Sequence, residues 1–283
     1  MKPAVARVQA GARRRLAARL GSPAPQGANA SATVVPDAEL WPLLELYEGR
    51  FECPPISYGT ARDLAQSAAS LAGLAGASFD MKGLQRCWTV KAILGNVARG
   101  SRLLEIGAGE PLVAGLLSRL GYEVTVVDPY DGSGNGPREY RVFTDEYRDL
   151  RFVREQFPPR ERLEAGFGGV YSISVLEHVP GGALGAVLAE AQALLTDGGC
   201  QIHAVDHVLA GWGAEDHLDG LRRLVAALAI PAERLTEALG EAERDPETYF
   251  VSAEAHNRWR GALAYDDYRM RRIISINLVT RKV

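Results

Sequence analysis

The chain has 283 residues, of which 47% are hydrophobic and 24% are charged, and its formal net charge is −3. This composition is typical of a globular protein that buries a sizeable core, in one large domain or two modest ones. The charge is uneven, because residues 1–36 hold six basic residues and no acid. The acidic remainder argues against nucleic acid as the main partner, and no apolar stretch approaches the length of a membrane span.

The first segment, residues 1–36, is predicted to be a basic flexible arm and linker. Residues 21–36 are rich in Gly, Ala, Ser and Pro, which disfavour regular structure. A transit peptide and a membrane-surface helix stay open as alternatives, since both are Arg-rich and poor in acids. The isolated cysteines Cys53, Cys87 and Cys200 fit a reducing compartment, so a cytoplasmic location without disulfides is expected.

The next segment, residues 37–100, is predicted to be an N-terminal helical cap. Apolar residues recur at helical spacing over 61–74 and 82–97. In the second of these helices, three side chains are candidates to cover the cofactor, although helix packing explains the tryptophan as well. They are Arg86, Trp88 and Lys91.

From residue 101 onward, short apolar runs alternate with helical periodicity, which predicts a parallel, doubly wound sheet. The predicted strands are 102–106, 122–128, 150–155, 169–175 and 199–206, with helices over 112–120 and 182–195. Two further helices, near 218–228 and 232–243, form a predicted insertion over about 208–245. Residues 273–281 are a further strand, for which 247–252 is the predicted partner.

The most informative run is 102–109, an apolar strand that breaks into a glycine turn before a helix. The next strand ends in Asp128. Turn glycines let the backbone approach a ligand closely, and a carboxylate accepts hydrogen bonds from a ribose. A dinucleotide site needs a third glycine that is absent here, and Glu105 and Glu110 would repel a pyrophosphate. Carboxylates suit S-adenosylmethionine, which has no phosphate and carries a sulfonium and an ammonium.

Two motifs carry a family resemblance. The run Glu105-Ile106-Gly107-Ala108-Gly109 resembles the first motif of the class I S-adenosylmethionine-dependent methyltransferases, in which Asp128 would be the ribose-binding acid. Residues 167–179 resemble the fourth motif of a small-molecule subgroup that ends in Leu-Glu-His-Val. The chain departs from the family at Pro111, where a glycine is usual, and at Gly168, where an aspartate is usual.

The resemblance implies a fold and an activity for residues 101–283. The fold is Rossmann-like and doubly wound, a mostly parallel seven-stranded sheet with helices on both faces and an antiparallel C-terminal strand. The activity is methyl transfer from S-adenosyl-L-methionine, leaving S-adenosyl-L-homocysteine, to a small-molecule acceptor, with oxygen favoured over nitrogen. No metal is expected, and a homodimer stays open. A nicotinamide-dependent oxidoreductase and an inactive methyltransferase-like scaffold are the alternatives.

The resemblance also implies a cofactor site at the carboxyl edge of the sheet. Gln156 follows the third strand, where family members often carry an acid that contacts the adenine, and its amide oxygen can accept the same bond. The complete set of expected cofactor-binding residues is Glu105, Gly107, Ala108, Gly109, Asp128, Pro129, Gln156, Ser174 and Glu177.

An oxygen acceptor needs a general base, for which histidine is the usual choice near neutral pH. His178 and His207 fall just past the ends of adjacent predicted strands, whereas His203 is mid-strand and is expected in the core. The predicted catalytic residues are His207, His178 and Asp206, the last as a partner that orients His207. One alternative is a divalent-metal site, since carboxylate and imidazole suit such ions. Its ligands would be Asp206, His207, Asp216 and His217.

Overall fold

The structure is a computed structural model that describes residues 35–76, 80–133, 136–253, 255 and 271–283. The predicted arm therefore lies almost entirely outside the described residues. Within the described ranges, no helix combines the length and the apolar character that crossing a bilayer requires.

Nine helices and seven strands are found in the part of the chain that the structure describes. The helices are α1 Asp37–Tyr47, α2 Ala61–Ser70, α3 Ala72–Gly76, α4 Asp80–Asn96, α5 Leu112–Arg119, α6 Tyr140–Glu146, α7 Gly181–Leu194, α8 Ala214–Ala227 and α9 Ala232–Arg244. The strands are β1 Ile56–Tyr58, β2 Arg102–Ile106, β3 Glu123–Val127, β4 Arg151–Val153, β5 Phe167–Ile173, β6 Leu195–Ala210 and β7 Arg272–Arg281. All five strands predicted between residues 101 and 207 are present.

The seven strands form one sheet in the order β1-β7-β6-β5-β2-β3-β4. The strands β2 to β6 are mutually parallel, and β7 is antiparallel to both of its neighbours, β6 and β1. The predicted fold, a mostly parallel seven-stranded sheet with an antiparallel C-terminal strand, is confirmed. Because β1 opposes β7, it runs in the same direction as the five parallel strands.

The predicted partner of the C-terminal strand is wrong. Residues 247–252 do not form a strand, and the edge beside β7 is occupied by β1, in the register Ile56↔Leu278. Residues 247–252 pass alongside β1, with an isolated bridge from Thr248 to Thr60 and a bond from the Tyr249 N–H to the Gly59 carbonyl at 3.0 Å. A three-residue strand is too short to show a period in the sequence, so β1 was hidden among the predicted helices.

Helices cover both faces of the sheet. One core contains residues of α4 and α5 and the side chains of Leu103, Ile202 and Ala204. The other contains residues of α7, α8 and α9, together with Leu104 and Val205. Successive side chains of a strand point to opposite faces. This alternation therefore decides which functional side chains face α4 and which face α8.

Candidate active site

The turn after β2 contains two glycines that share a left-handed backbone conformation but differ in the space around their Cα atoms. Gly107 and Gly109 have φ angles of +69° and +59°, which side chains other than glycine rarely adopt. A Cβ on Gly107 would lie 2.8 Å from Cγ2 of Val175, whereas on Gly109 it would meet only Pro137 Cδ, at 3.8 Å. The backbone at Gly109 therefore borders open space, and this is where a ligand can approach closely.

Asp128 follows β3 and fixes the turn. Its Oδ2 accepts a hydrogen bond from the Gly109 N–H at 3.0 Å, and its Oδ1 accepts one from the Tyr130 N–H at 2.8 Å. Burial raises the pKa of Asp128, and these two N–H donors oppose that rise. Each carboxylate oxygen can accept a second bond. The carboxylate is therefore held in one orientation with capacity left for a ligand.

Glu105 lies in β2 on the face that α4 covers, and it is only 3% exposed. Burial raises its pKa to about 8, while the Tyr171 phenol, the Arg86 guanidinium and a bond from the Ala114 N–H act in the opposite direction. The Tyr171 hydroxyl lies beside the carboxyl group, but the two do not form a well-directed hydrogen bond. Within the described residues, Glu105 Oε2 and the Tyr171 hydroxyl have no hydrogen-bond partner.

Further polar groups surround Glu105. Burial lowers the pKa of Arg86, and the carboxylates of Glu110 and Glu105 raise it again. The hydroxyls of Tyr130 and Tyr147 are buried and have no hydrogen-bond partner in the described part of the chain. Such orphaned groups are rare in folded proteins and call for a ligand or water. This side of the turn therefore presents the Glu105 carboxyl group, the Arg86 guanidinium and several tyrosine hydroxyls without a hydrogen-bond partner among the described residues.

A second polar cluster joins the ends of β5 and β6 to α4. The Gln85 amide Nε2 donates to Asp206 Oδ1 at 2.8 Å. Ser174 Oγ lies 2.8 Å from Gln85 Oε1 and 3.0 Å from Asp206 Oδ1. Ser174 has a φ angle of +50°, which is unusual for a residue with a side chain and typical of functional sites. Both of these contacts to the Asp206 carboxylate are made to Oδ1.

Glu177 completes this cluster from the short 3₁₀ turn Leu176–His178. Its Oε1 accepts a bond from the Asp206 N–H at 2.9 Å. Burial, followed by the charge of Asp206, raises the pKa of Glu177 to about 8, against the effect of Lys82. Its Oε2 is buried and finds no partner among the described residues. Burial and the neighbouring charge of Asp206 thus both favour the protonated form of the Glu177 carboxyl group.

The predicted pairing of Asp206 with His207 is not formed. The Asp206 side chain bonds Gln85 on the α4 face, whereas His207 lies beside His217 of α8, with ring centroids 6.4 Å apart. The physical reason is that neighbouring side chains of a strand point to opposite faces. His207 is 2% exposed, and burial, followed by His217, lowers its pKa to about 4. Its Nδ1 has no partner in the described ranges.

The other predicted site residues are distributed as follows. His178 is exposed at the end of its 3₁₀ turn, and Gln156 is exposed after β4. Ala108 and Pro129 are half-buried beside the glycine turn. His203 is confirmed in the core, with Nδ1 2.9 Å from Ser172 Oγ.

Two further predictions concern metal and cofactor contacts. Across the described residues, no three His, Cys, Asp or Glu side chains are grouped so that they could hold a metal ion. The structure thus does not assemble the alternative metal set, which was Asp206, His207, Asp216 and His217. Lys91 faces away from the turn, since its Nζ donates to Ser67 Oγ at 3.1 Å and lies 5.3 Å from the Phe51 ring centroid.

Sequence reasoning missed Gln85 and the three tyrosines. Gln85 is fully buried in α4, and its partner Asp206 is 121 residues away in the sequence. A polar residue in a helix is usually solvent-exposed, so the residue type of Gln85 gave no signal. The tyrosines come from three separate segments. Their hydroxyls converge near Glu105 only after the sheet and α6 have packed together.

Comparison with known proteins gives likeness in fold alone. No protein-family model and no curated protein matches the chain. Phosphoethanolamine N-methyltransferase 2 of Haemonchus contortus is 16% identical, with a TM-score of 0.47 over 74% of this chain and 55% of that one. A geranyl diphosphate methyltransferase is 13% identical, with a TM-score of 0.48 over 90% and 98% of the two chains.

A third solved structure gives a similar result. The 1,6-didemethyltoxoflavin-N1-methyltransferase of Burkholderia thailandensis is 16% identical, with a TM-score of 0.45 over 93% of both chains. This chain spans little more than half of the Haemonchus protein and nearly all of the other two. At these identities and TM-scores, the likenesses add nothing to what the sheet topology itself shows.

Proposed function

We propose that this protein binds S-adenosylmethionine at the glycine turn and transfers its methyl group to the oxygen of a small-molecule acceptor. The observation that carries the proposal is the turn itself. Its glycines leave open space over Gly109, its carboxylate Asp128 is fixed by two backbone N–H groups, and Glu105 lies buried beneath it. These features match a nucleoside that carries positive charge.

The residues present fit the cofactor in both shape and charge. Asp128 has free acceptor capacity for the two ribose hydroxyls. The unpartnered Oε2 of Glu105 suits an ammonium group, and the guanidinium of Arg86, which lies near enough to interact with Glu105, suits a carboxylate. When bound, S-adenosylmethionine supplies an activated methyl group on a sulfonium. What the chain must contribute is alignment of the acceptor with that group.

The cluster around Asp206 is the proposed place for the acceptor oxygen. Gln85 and Ser174 fix Oδ1 of Asp206, so Oδ2 is oriented to accept the hydroxyl proton. Among the three predicted catalytic residues, we therefore assign the proton-accepting role to Asp206. His178 and His207 remain the other candidates for the general base. The neutral state of His207 allows it to accept a hydrogen bond.

Isothermal titration calorimetry tests the donor. The full-length, cofactor-free protein is titrated with S-adenosylmethionine, S-adenosylhomocysteine and NAD⁺. Micromolar binding of the first two with no heat from NAD⁺ supports the proposal. Binding of NAD⁺ alone contradicts it and supports the oxidoreductase alternative, because Glu105 and Glu110 would then tolerate a pyrophosphate.

Mass spectrometry of the product tests the reaction. The protein is incubated with methyl-deuterated S-adenosylmethionine and a set of phenols and alcohols, with the matching amines as controls. Transfer of the labelled methyl to oxygen supports the proposal. Transfer to amines only would reject the oxygen assignment, and tight cofactor binding with no transfer would favour a scaffold role.

A further inference from the structure

Three tyrosines surround Glu105, and the hydroxyl of each is buried. Tyr171 of β5 is the register partner of Glu105 in β2, so both side chains stand on the face that α4 covers. Tyr130 follows β3, and Tyr147 follows the last residue of α6. The exposed fractions of Tyr130, Tyr147 and Tyr171 are 1%, 4% and 0%. In the described ranges, none of the three hydroxyls has a hydrogen-bond partner.

The three phenols also share an electrostatic environment. Burial is the largest cause that raises the pKa of each phenol, and the charge of Glu105 raises it further in all three. The Arg86 guanidinium lies in the same region, since its charge lowers the pKa of both Tyr147 and Glu105. Three hydroxyls, a carboxyl group and a guanidinium therefore lie close together beneath the glycine turn.

Packing does not explain the three hydroxyls. Phenylalanine would fill the same space without a buried hydroxyl that lacks a partner, and such a hydroxyl costs free energy. Tyr130 is held by other means, since its N–H donates to Asp128 and its ring centroid lies 5.7 Å from those of Tyr140 and Phe143. Its φ angle of +46° is unusual for a large side chain, and such conformations cluster at functional sites. The hydroxyls therefore point to a polar ligand.

The chemistry of these groups indicates which part of a ligand they bind. Phenol hydroxyls and a guanidinium donate hydrogen bonds, which suits a carboxylate. The carboxylate form of Glu105 accepts hydrogen bonds, which suits an ammonium group. A carboxylate and an ammonium stand on the same carbon at the amino-acid end of S-adenosylmethionine, whereas its adenosine end has neither.

We propose that the hydroxyls of Tyr130 and Tyr147 donate hydrogen bonds to the carboxylate of the methyl donor, and that Tyr171 orients Glu105 toward the ammonium group. This inference rests on the proposed binding of S-adenosylmethionine and adds the residues that recognise its amino-acid end. The consequence is specificity for the donor. A nucleoside that lacks the carboxylate leaves two buried donors unpaired and is bound more weakly.

Calorimetry with three nucleosides tests the assignment in the full-length, cofactor-free protein. The probes are S-adenosylhomocysteine, its decarboxylated counterpart S-adenosyl-thiopropylamine, which keeps the amine, and methylthioadenosine, which has neither group. The wild type should bind the first at least about 100-fold more tightly than the second. Y130F and Y147F should each weaken S-adenosylhomocysteine by about tenfold and leave the decarboxylated probe unchanged. Y171F should weaken both amine-bearing probes and leave methylthioadenosine unchanged.

Urea unfolding of the same variants separates binding from folding. Without cofactor, Y130F, Y147F and Y171F should have an unchanged or higher urea midpoint, because each removes a buried hydroxyl that has no partner in the described part of the chain. The matched control is Y122F, since the buried Tyr122 hydroxyl donates to the Val97 carbonyl at 2.9 Å. Y122F should lower the midpoint and leave the affinity for S-adenosylhomocysteine unchanged.

Three results would overturn the inference. They are unchanged S-adenosylhomocysteine affinity in Y130F and Y147F, equal weakening of all three probes in these variants, and a midpoint that falls in them as it does in Y122F. Failure of the proposed function is distinguishable, because the wild type would then not bind S-adenosylhomocysteine at all. Binding by the wild type that does not respond to the tyrosine substitutions would reject this inference alone.

Discussion

Asp128 and Asp206 both stand near the carboxyl edge of the sheet, but they are held in different ways. Asp128 is fixed by backbone N–H groups 19 and 2 residues away, at Gly109 and Tyr130. Asp206 is fixed by the side chains of Gln85 and Ser174, which are 121 and 32 residues away. The first arrangement depends mainly on backbone conformation, and the second depends on which side chains α4 and β5 bring together.

Because of this difference, we expect different kinds of substitution to be damaging around Asp128 and around Asp206. Around Asp128, the sensitive variable is the φ angle of the glycines, because backbone donors are present in every sequence. Around Asp206, the sensitive variable is side-chain identity, because each partner supplies its own donor or acceptor. The following predictions test that contrast.

The largest effect is expected at Gly107. G107A should lower the free energy of unfolding by about 3 kcal/mol, since it combines left-handed strain with a Cβ 2.8 Å from Val175. G109A adds only the strain and should cost about 1 kcal/mol. Urea unfolding measures both. The double variant G107A/V175A should recover part of the loss, and equal costs at the two glycines would refute the distinction.

The next effect concerns cofactor affinity. D128N should weaken S-adenosylmethionine binding by about 100-fold, because an amide cannot accept on both sides and loses the charge-assisted bonds. D131N is the matched control, since Asp131 is exposed three residues later and accepts from the Ser133 N–H. Calorimetry measures both affinities. Unchanged binding in D128N would remove Asp128 from the site.

The pH dependence of stability tests the burial of Glu105. Its folded-state pKa of about 8 lies above the ordinary value of 4.5, so its stabilising contribution is complete below pH 4.5 and is lost as the pH rises toward 8. The stability of E105Q relative to the wild type should therefore increase steadily as the pH rises between these limits.

Urea unfolding at pH 5, 6, 7 and 8 measures this difference. The control is E123Q, which changes an exposed carboxyl group at the start of β3 and should run parallel to the wild type. A curve for E105Q that is also parallel to the wild type would show that Glu105 does not titrate as a buried acid.

The smallest effect is the coupling within the Asp206 cluster. Q85A and S174A should each destabilise the protein, and the double variant should deviate from additivity by about 1 kcal/mol, because both side chains bond the same Oδ1. Urea unfolding of the cycle gives the coupling energy. The pair Q85A and T236A, on opposite faces of the sheet, should be additive. Additivity of the first pair would mean that the cluster is not a unit.

Local pattern allowed much of the fold to be predicted. The strands β2, β3, β5 and β6 contain buried runs bounded by turns, and β4 is half-buried. Each was located within a few residues except for the longer ends of β6. The short strand β1 was missed, and residues 247–252 were wrongly given its place. A strand of three residues is too short to show an alternation of apolar and polar positions in the sequence. In the fold, β1 forms because it pairs with β7, a segment that is distant in the sequence.

In the candidate site, too, the features set by local sequence could be predicted, and those set by contacts between distant segments could not. The glycine turn and Asp128 were predictable because left-handed backbone and a strand-terminal acid leave a signature within 27 consecutive residues, 102–128. The pairing of Asp206 with His207 was wrong, since adjacency in sequence places their side chains on opposite faces. Gln85, Tyr147 and Tyr171 had no signature, because their roles come from contacts between separate segments.

The sequence by itself thus determined the parallel sheet and the turn that we propose binds the methyl donor. Only the tertiary structure decided that β1 forms the sheet edge beside β7 and that Gln85 fixes Asp206. The reason is physical. Backbone conformation and hydrophobic period are encoded over short stretches, whereas a buried hydrogen bond between residues 121 positions apart exists only after α4 has docked on the sheet.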